Sequence, residues 1–144
     1  MSFEPKPGLI IRFDFLWKEE ESAGHTDGCK DRPCAIILTT KPKEGGTRDV
    51  VLCPITHSPP QKGESAIEIP VKLARHLKLD DGRSWIKTHQ INTVEWEQNR
   101  LPFGVVPAHK GQWVFGQLPQ SIGKQVFEQV KANIDCKHLR NVRR

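Results

Sequence analysis

Residues 8–16, GLIIRFDFL, decide the fold class. Apolar residues alternate with Arg12 and Asp14, so Leu9, Ile11, Phe13 and Phe15 fall on one face of an extended chain. Alternation with period two in β-branched and aromatic residues marks a β-strand with one buried face. The chain on either side is punctuated in the same style. Residues 17–32, WKEEESAGHTDGCKDR, are polar and glycine-bearing and read as a long loop. Pro33 then opens the apolar run CAIIL, which ends at Thr39 and Thr40. Proline at the first residue of a strand is tolerated, because its missing N–H need not belong to the ladder.

Further strands are expected at residues 50–55 and 65–69, separated by the Gly45-Gly46 turn and by Pro59-Pro60. Pro70 begins VKLARHLKL, a short helix, and Asp80-Asp81-Gly82 reads as a turn. Residues 84–94 read as one long strand, with Trp85, Lys87 and His89 on one face and Ile86, Thr88 and Gln90 on the other. Near the end, Ile122, Val126, Val130 and Ile134 recur every four residues, with Phe127 beside them. That spacing predicts an amphipathic helix of about four turns after Pro119. Many short strands and one closing helix imply a mainly β fold: a small, curled antiparallel barrel with a C-terminal α-helix.

The chain has 144 residues, enough for one domain with its own core. The domain is expected over residues 1–136. Residues 137–144, KHLRNVRR, form a basic tail. Lys+Arg number 22 against 17 Asp+Glu, a net charge of +5, and the tail supplies most of the excess. A polyanion-binding surface spread over the whole body is therefore not expected, whereas a local basic site is. No apolar run approaches the ~20 residues of a membrane helix. The opening MSFEPKPG lacks the basic-then-apolar layout of a secretory signal. Cys29, Cys34, Cys53 and Cys136 are thinly spread, which fits a reducing cytoplasm better than a disulfide scaffold.

Several places could carry chemistry. Arg32 ends a loop where a buried strand begins, a good position for a guanidinium that grips an oxyanion with two parallel hydrogen bonds. The plainer alternative is an ion pair with Asp14, Asp31 or Asp49. Thr56, His57 and Ser58 cluster at a strand end, offering two hydroxyls and an imidazole, although turn residues before Pro-Pro look the same. Lys87 and His89 share a strand face, bringing a cation and a proton carrier together if that face looks toward the other two sites. His25, Cys29, Cys34 and Cys53 suggest zinc, but no C-x2-C pair exists and two of the thiols sit inside apolar runs. No metal is expected. Trp17, Trp85, Trp96 and Trp113 are either core or stacking platforms for bases.

Taken in order, these blocks resemble the PemK/MazF family, the ribonuclease toxins of bacterial toxin–antitoxin pairs. The blocks are the Gly8-led first strand, a loop with Ala23-Gly24-His25, Arg32-Pro33 entering a strand, and Pro54-Ile55-Thr56. A Gln-bearing segment at residues 87–90 and Gly116-Gln117-Leu118 before a helix complete the series. The resemblance spans roughly residues 8–134. It implies an SH3-like barrel acting as a homodimer that cuts single-stranded RNA with neither metal nor cofactor. In such a reaction the ribose 2′-OH attacks its own 3′-phosphate and leaves a 2′,3′-cyclic phosphate and a 5′-OH. Carried over by position, Arg32, Thr56 and His89 are the catalytic candidates, with His25, His57, Ser58, Lys87 and Gln90 as RNA contacts. The implied inhibitor is an acidic, partly disordered antitoxin. Some relatives have an arginine and an aspartate where this chain has Lys87 and His89. The rival expectation is a non-enzymatic SH3-like binding module, or a toxin that acts on gyrase by protein contact.

Overall fold

The computed structural model describes residues 3–79 and 82–144. Its centre is an antiparallel run of β1 (Leu9–Phe13), β2 (Arg32–Thr39) and β3 (Arg48–Thr56). β3 divides its other edge between two partners. Residues 48–52 pair with β6 (Gln90–Trp96), and Ile55 and Thr56 pair with β5 (Ser84–Lys87). β5 continues to β4 (Ala66–Ile69). The outer edge of β1 is divided likewise, between β8 (Val114–Gln117) and the short β7 (Val105–Val106). β9 (Arg140–Arg143) runs parallel to β6. The helices are α1 (Lys18–Ser22), α2 (Val71–His76) and α3 (Gln120–Asp135).

The mainly β architecture with a closing helix is as the sequence predicts. The barrel is not: the nine-stranded sheet is open among the described residues, its path running β4-β5-β3-β2-β1-β7 with no pair joining the ends. The two ends are short, four and two residues long, and Pro70 turns the chain into α2 directly after β4. The turn read at Asp80-Asp81 lies outside the described residues.

Both faces of the sheet are buried. Leu9, Ile11, Phe13 and Phe15 do share one face, packed with Cys34, Ile36, Val50, Leu52, Val94 and Trp96. The opposite face carries Ile10, Ala35, Cys53, Ile55, Ile86 and Ile91, covered by Val126 and Val130 of α3. Each fully buried large apolar side chain contributes about 1.5–3 kcal/mol relative to exposure. The stripe on α3 is buried only in its middle. Val126 and Val130 are enclosed, while Phe127 is 40% and Ile134 55% exposed.

The strand expected over residues 84–94 is broken. Between the Leu52–Asn92 and Ile55–Ile86 pairs, β3 advances three residues and its partner six. Pro54 sits in this interval and has no N–H to give to a ladder. The surplus residues bulge at Thr88-His89, where strict alternation ends. The structure also differs from the expected loop over residues 17–32, which contains α1.

Residues 137–144, set apart in the sequence as a tail, are woven into the sheet. The Arg140 N–H donates to His89 O at 2.9 Å and the Arg144 N–H to Thr93 O at 2.9 Å. The basic side chains find acids distant in sequence: Arg143 pairs with Asp49 at 2.8 Å, Arg140 with Glu19 at 3.1 Å and Arg144 with Asp14 at 3.2 Å.

Candidate active site

The bulge after β5 and the end of β3 open onto one cleft of about 260 Å³. Thr56, Ser58, Lys87, His89 and Gln90 line it, together with Trp17, Glu19 and Glu64. The β2–β3 register explains part of this convergence. Cys34 lies opposite Pro54, so two residues further on Arg32 comes beside Thr56. Both end their strands at the same edge, where side chains leave the core and meet solvent.

Arg32 makes no ion pair among the described residues. Of the three acids offered by the sequence, Asp14 is engaged by Arg144 and Asp49 by Arg143, and Asp31 forms no ion pair with Arg32. Its guanidinium carbon lies 5.2 Å over the Trp17 ring, a cation–π contact. Its Nε is buried with no hydrogen-bond partner. A guanidinium held by a ring face, with donors unsatisfied beside a cleft, is ready to bind an oxyanion.

Lys87 is 4% exposed, and its ammonium donates to Glu64 Oε1 at 2.9 Å and to Pro59 O at 3.3 Å. His89 Nε2 faces the other oxygen of the same carboxylate at 3.6 Å, and Nδ1 faces Ser65 O at 3.4 Å. The Gln61 backbone N–H and the Lys87 ammonium hold the Glu64 carboxyl below its ordinary value, against a smaller opposing effect of burial. Thr56 Oγ1 donates to Ser58 O at 3.2 Å, tightening the turn that carries both hydroxyls. Gln90 is occupied at both ends of its amide. Its nitrogen donates to Glu19 at 3.2 Å, and its oxygen accepts the Lys18 N–H at 2.9 Å.

Arg32 lies behind Trp17 and does not itself line the cleft, and two further sequence candidates stand apart from it. His25 borders a separate hollow of about 750 Å³ with Thr26, Phe103 and Arg143. His57 directs Nδ1 to Arg83 O at 2.9 Å, and it does not line the cleft. Cys34 and Cys53 occupy the two opposite cores, so they cannot share a metal, and burial pushes both thiols far above their ordinary value. Among the described residues, no group of three His, Cys, Asp or Glu side chains lies close enough to hold a metal ion. Trp85 and Trp96 are core residues, and only Trp17 of the four tryptophans reaches the cleft.

Sequence reasoning missed Glu64 and Glu19. Both acids lie in polar stretches with no periodicity, and their roles depend on loops folding back onto distant strands. It also missed the clamp beneath the bulge. Asn133 Nδ2 of α3 donates to Ser65 Oγ and to Thr88 O, each at 2.8 Å. Thr88 Oγ1 donates to Gln129 Oε1 at 2.7 Å and lies 2.6 Å from Ser65 Oγ. Gln129 and Asn133 are four apart on one helix face, the one cue that was available.

A small, mainly β protein with one C-terminal helix and a polar cleft at its strand ends, lined by Lys87, His89, Glu19 and Glu64, is the class that fold and site define. Residues 7–135 match the family model described as the PemK-like, MazF-like toxin of type II toxin–antitoxin systems, and the chain belongs to that family. No curated protein and no solved structure matches the chain.

Proposed function

We propose that this toxin is an endoribonuclease that cleaves single-stranded RNA without a metal, leaving a 2′,3′-cyclic phosphate and a 5′-OH. The observation that carries the reading is Arg32: an unpaired guanidinium with a buried, unsatisfied Nε, beside the cleft that gathers Thr56, Lys87 and His89. Breaking an RNA strand this way needs cations for the charge of the phosphorane, a hydroxyl donor and a proton carrier. Arg32 and Lys87 supply the cations, Thr56 the hydroxyl and His89 the proton carrier. Ser58 and Gln90 border the phosphate path, while His25 and His57 are assigned only to flanking nucleotides. Trp17 offers a ring edge for an unstacked base.

The working form on this reading is a cytoplasmic homodimer. The apolar groove between Leu38, Leu118 and Phe127 supports it, with Leu38 and Phe127 about two-fifths exposed. A toxin of this family works with an antitoxin, and an acidic, partly disordered one would wrap a large surface and gain order only on binding. No helix among the described residues is long and apolar enough to cross a membrane.

The test is cleavage of single-stranded RNA in excess chelator by the parent and by Arg32→Ala. The expected result is cleavage by the parent, products with cyclic phosphate ends, and loss with Arg32→Ala. Intact RNA with the parent, or equal cleavage by both proteins, overturns the reading and returns the cleft to a protein-binding role.

A further inference from the structure

The Lys87 ammonium borders the cleft, yet its side chain is only 5% exposed. It donates to Glu64 Oε1 at 2.9 Å and to Pro59 O at 3.3 Å, both from the loop between β3 and β4. The Glu64 side chain is 31% exposed, so the carboxylate stands on the solvent side of the pair. Its other oxygen lies 3.6 Å from His89 Nε2. One carboxylate therefore spans two of the groups assigned to the RNA phosphate. An ammonium has three N–H donors, and two of those of Lys87 are spent inside the chain. Arg32 makes no ion pair among the described residues, and its Nε is unsatisfied. The two cations of the proposed site are thus held in opposite states, one open and one covered.

We propose that Glu64 is a built-in stand-in for the RNA phosphate: its carboxylate fills the oxyanion position between Lys87 and His89 and swings out to solvent when single-stranded RNA seats. The inference rests on the ribonuclease reading above and deepens it, adding a competition that the substrate must win. A carboxylate and a phosphodiester each present two anionic oxygens to such donors, so one replaces the other without a change in the kind of contact. The exchange never leaves the buried ammonium without an anion.

Little else holds the carboxylate in place. Glu64 Oε1 also accepts the Gln61 N–H at 2.9 Å, and Gln61 is exposed, so water takes over that donor when the side chain leaves. The turn itself is kept by the Glu64 N–H, which donates to Gln61 O at 2.9 Å. An internal occupant lowers the apparent affinity for RNA by the fraction of molecules in which the site is open. Glu64→Gln keeps an amide oxygen that accepts from Lys87 and from the Gln61 N–H. It removes the charge, so this weaker occupant is displaced more easily.

The experiment measures the Kd of a 2′-O-methylated single-stranded RNA, which lacks the attacking hydroxyl, by fluorescence anisotropy. The proteins are the parent, Glu64→Gln, Lys87→Gln and the double variant. Glu64→Gln should lower Kd by about tenfold, the change when the competent fraction rises from about a tenth to nearly all. In the Lys87→Gln background the same substitution should change Kd by less than about twofold, since no covered ammonium remains. Glu19→Gln removes a charge from the same cleft without touching Lys87, and should lower Kd by less than about twofold in either background. Hydrogen exchange on the parent keeps the proposal testable if Glu64→Gln does not fold: RNA should quicken exchange of the Gln61 amide, which loses its acceptor. An unchanged or raised Kd in Glu64→Gln, an equal gain in both backgrounds, or a Gln61 amide that RNA leaves unchanged or protects overturns the inference. Cleavage of unmodified RNA by the parent is scored separately. Without it the ribonuclease reading falls, while the binding cycle still decides whether Glu64 fills an anion site. A parent and a Glu64→Gln variant that both leave RNA unbound overturn the two together.

Discussion

The Arg32 guanidinium rests 5.2 Å over the Trp17 ring, and that ring belongs to the wall of the cleft. The contact orients a cation without neutralising it. A carboxylate partner would compete with phosphate, whereas a ring face leaves the N–H fork available. Arg32→Ala should lower kcat/KM on RNA by roughly 10²–10³-fold, the usual loss for one donor to a developing oxyanion. Arg32→Lys should recover only a part, because an ammonium is a point charge without the fork. Trp17→Leu should keep the fold and reduce kcat/KM about tenfold through misplacement of the guanidinium. Steady-state kinetics on a short RNA checks all three.

Arg144 and Asp14 form a largely buried ion pair, 9% and 12% exposed at the side chains. The Arg144 guanidinium also donates to Asp14 O at 2.8 Å and to Asn92 Oδ1 at 3.2 Å, and its carbon lies 4.9 Å over Phe13. Arg144→Ala leaves the Asp14 carboxylate uncompensated and should destabilise the protein by about 3–5 kcal/mol. The double variant Arg144→Ala/Asp14→Asn should recover a substantial part. Urea unfolding measures both, and equal stability of Arg144→Ala and parent would remove the structural role given to the C-terminal strand.

The clamp from α3 to the bulge joins stability to activity. Asn133→Ala leaves the buried Thr88 carbonyl and the Ser65 hydroxyl each short of a partner. A loss of about 1–3 kcal/mol is expected. Because the same bulge carries His89 and follows directly on Lys87, kcat should fall while RNA affinity changes less. Melting curves and single-turnover cleavage test the pairing of the two effects.

The lowered carboxyl of Glu64 has a consequence for pH. A carboxylate depressed in the folded state stabilises above its unfolded value, and that stabilisation is lost as pH falls through the folded value. The β3–β4 loop should therefore be held firmly from neutrality down to roughly pH 4, near the ordinary glutamate value, and loosen below it. Hydrogen exchange of the residue 61–65 amides against pH should show protection falling in that acidic window. Glu64→Gln should flatten the dependence.

Association should depend on the groove beside α3. Leu38→Glu combined with Phe127→Glu places charge on its two most exposed apolar residues. Sedimentation of the parent is expected to give a dimer and of the double variant a monomer, with the circular dichroism of the two alike. A parent that sediments as a monomer at micromolar concentration would remove the dimer from the proposed function.

The amino-acid sequence by itself determined the β character, the face of β1 and the place of the closing helix. These follow from local periodicity, which needs no knowledge of distant contacts: Leu9, Ile11, Phe13 and Phe15 must share a side of any extended chain. It also marked Arg32, Thr56 and Lys87 to Gln90 as chemically apt. Only the tertiary structure decided that Pro54 breaks the ladder and ejects Thr88 and His89 as a bulge next to Lys87, that Gln90 joins Lys87 and His89 in the cleft, and that His25 and His57 do not. It likewise turned an apparent basic tail into a strand, because Asp14, Asp49 and Glu19 lie far from residues 140–144 in sequence and beside them in space. Ion pairs, bulges and sheet closure depend on which strands meet and in what register. That is a property of the whole packed chain, and no short window of residues contains it.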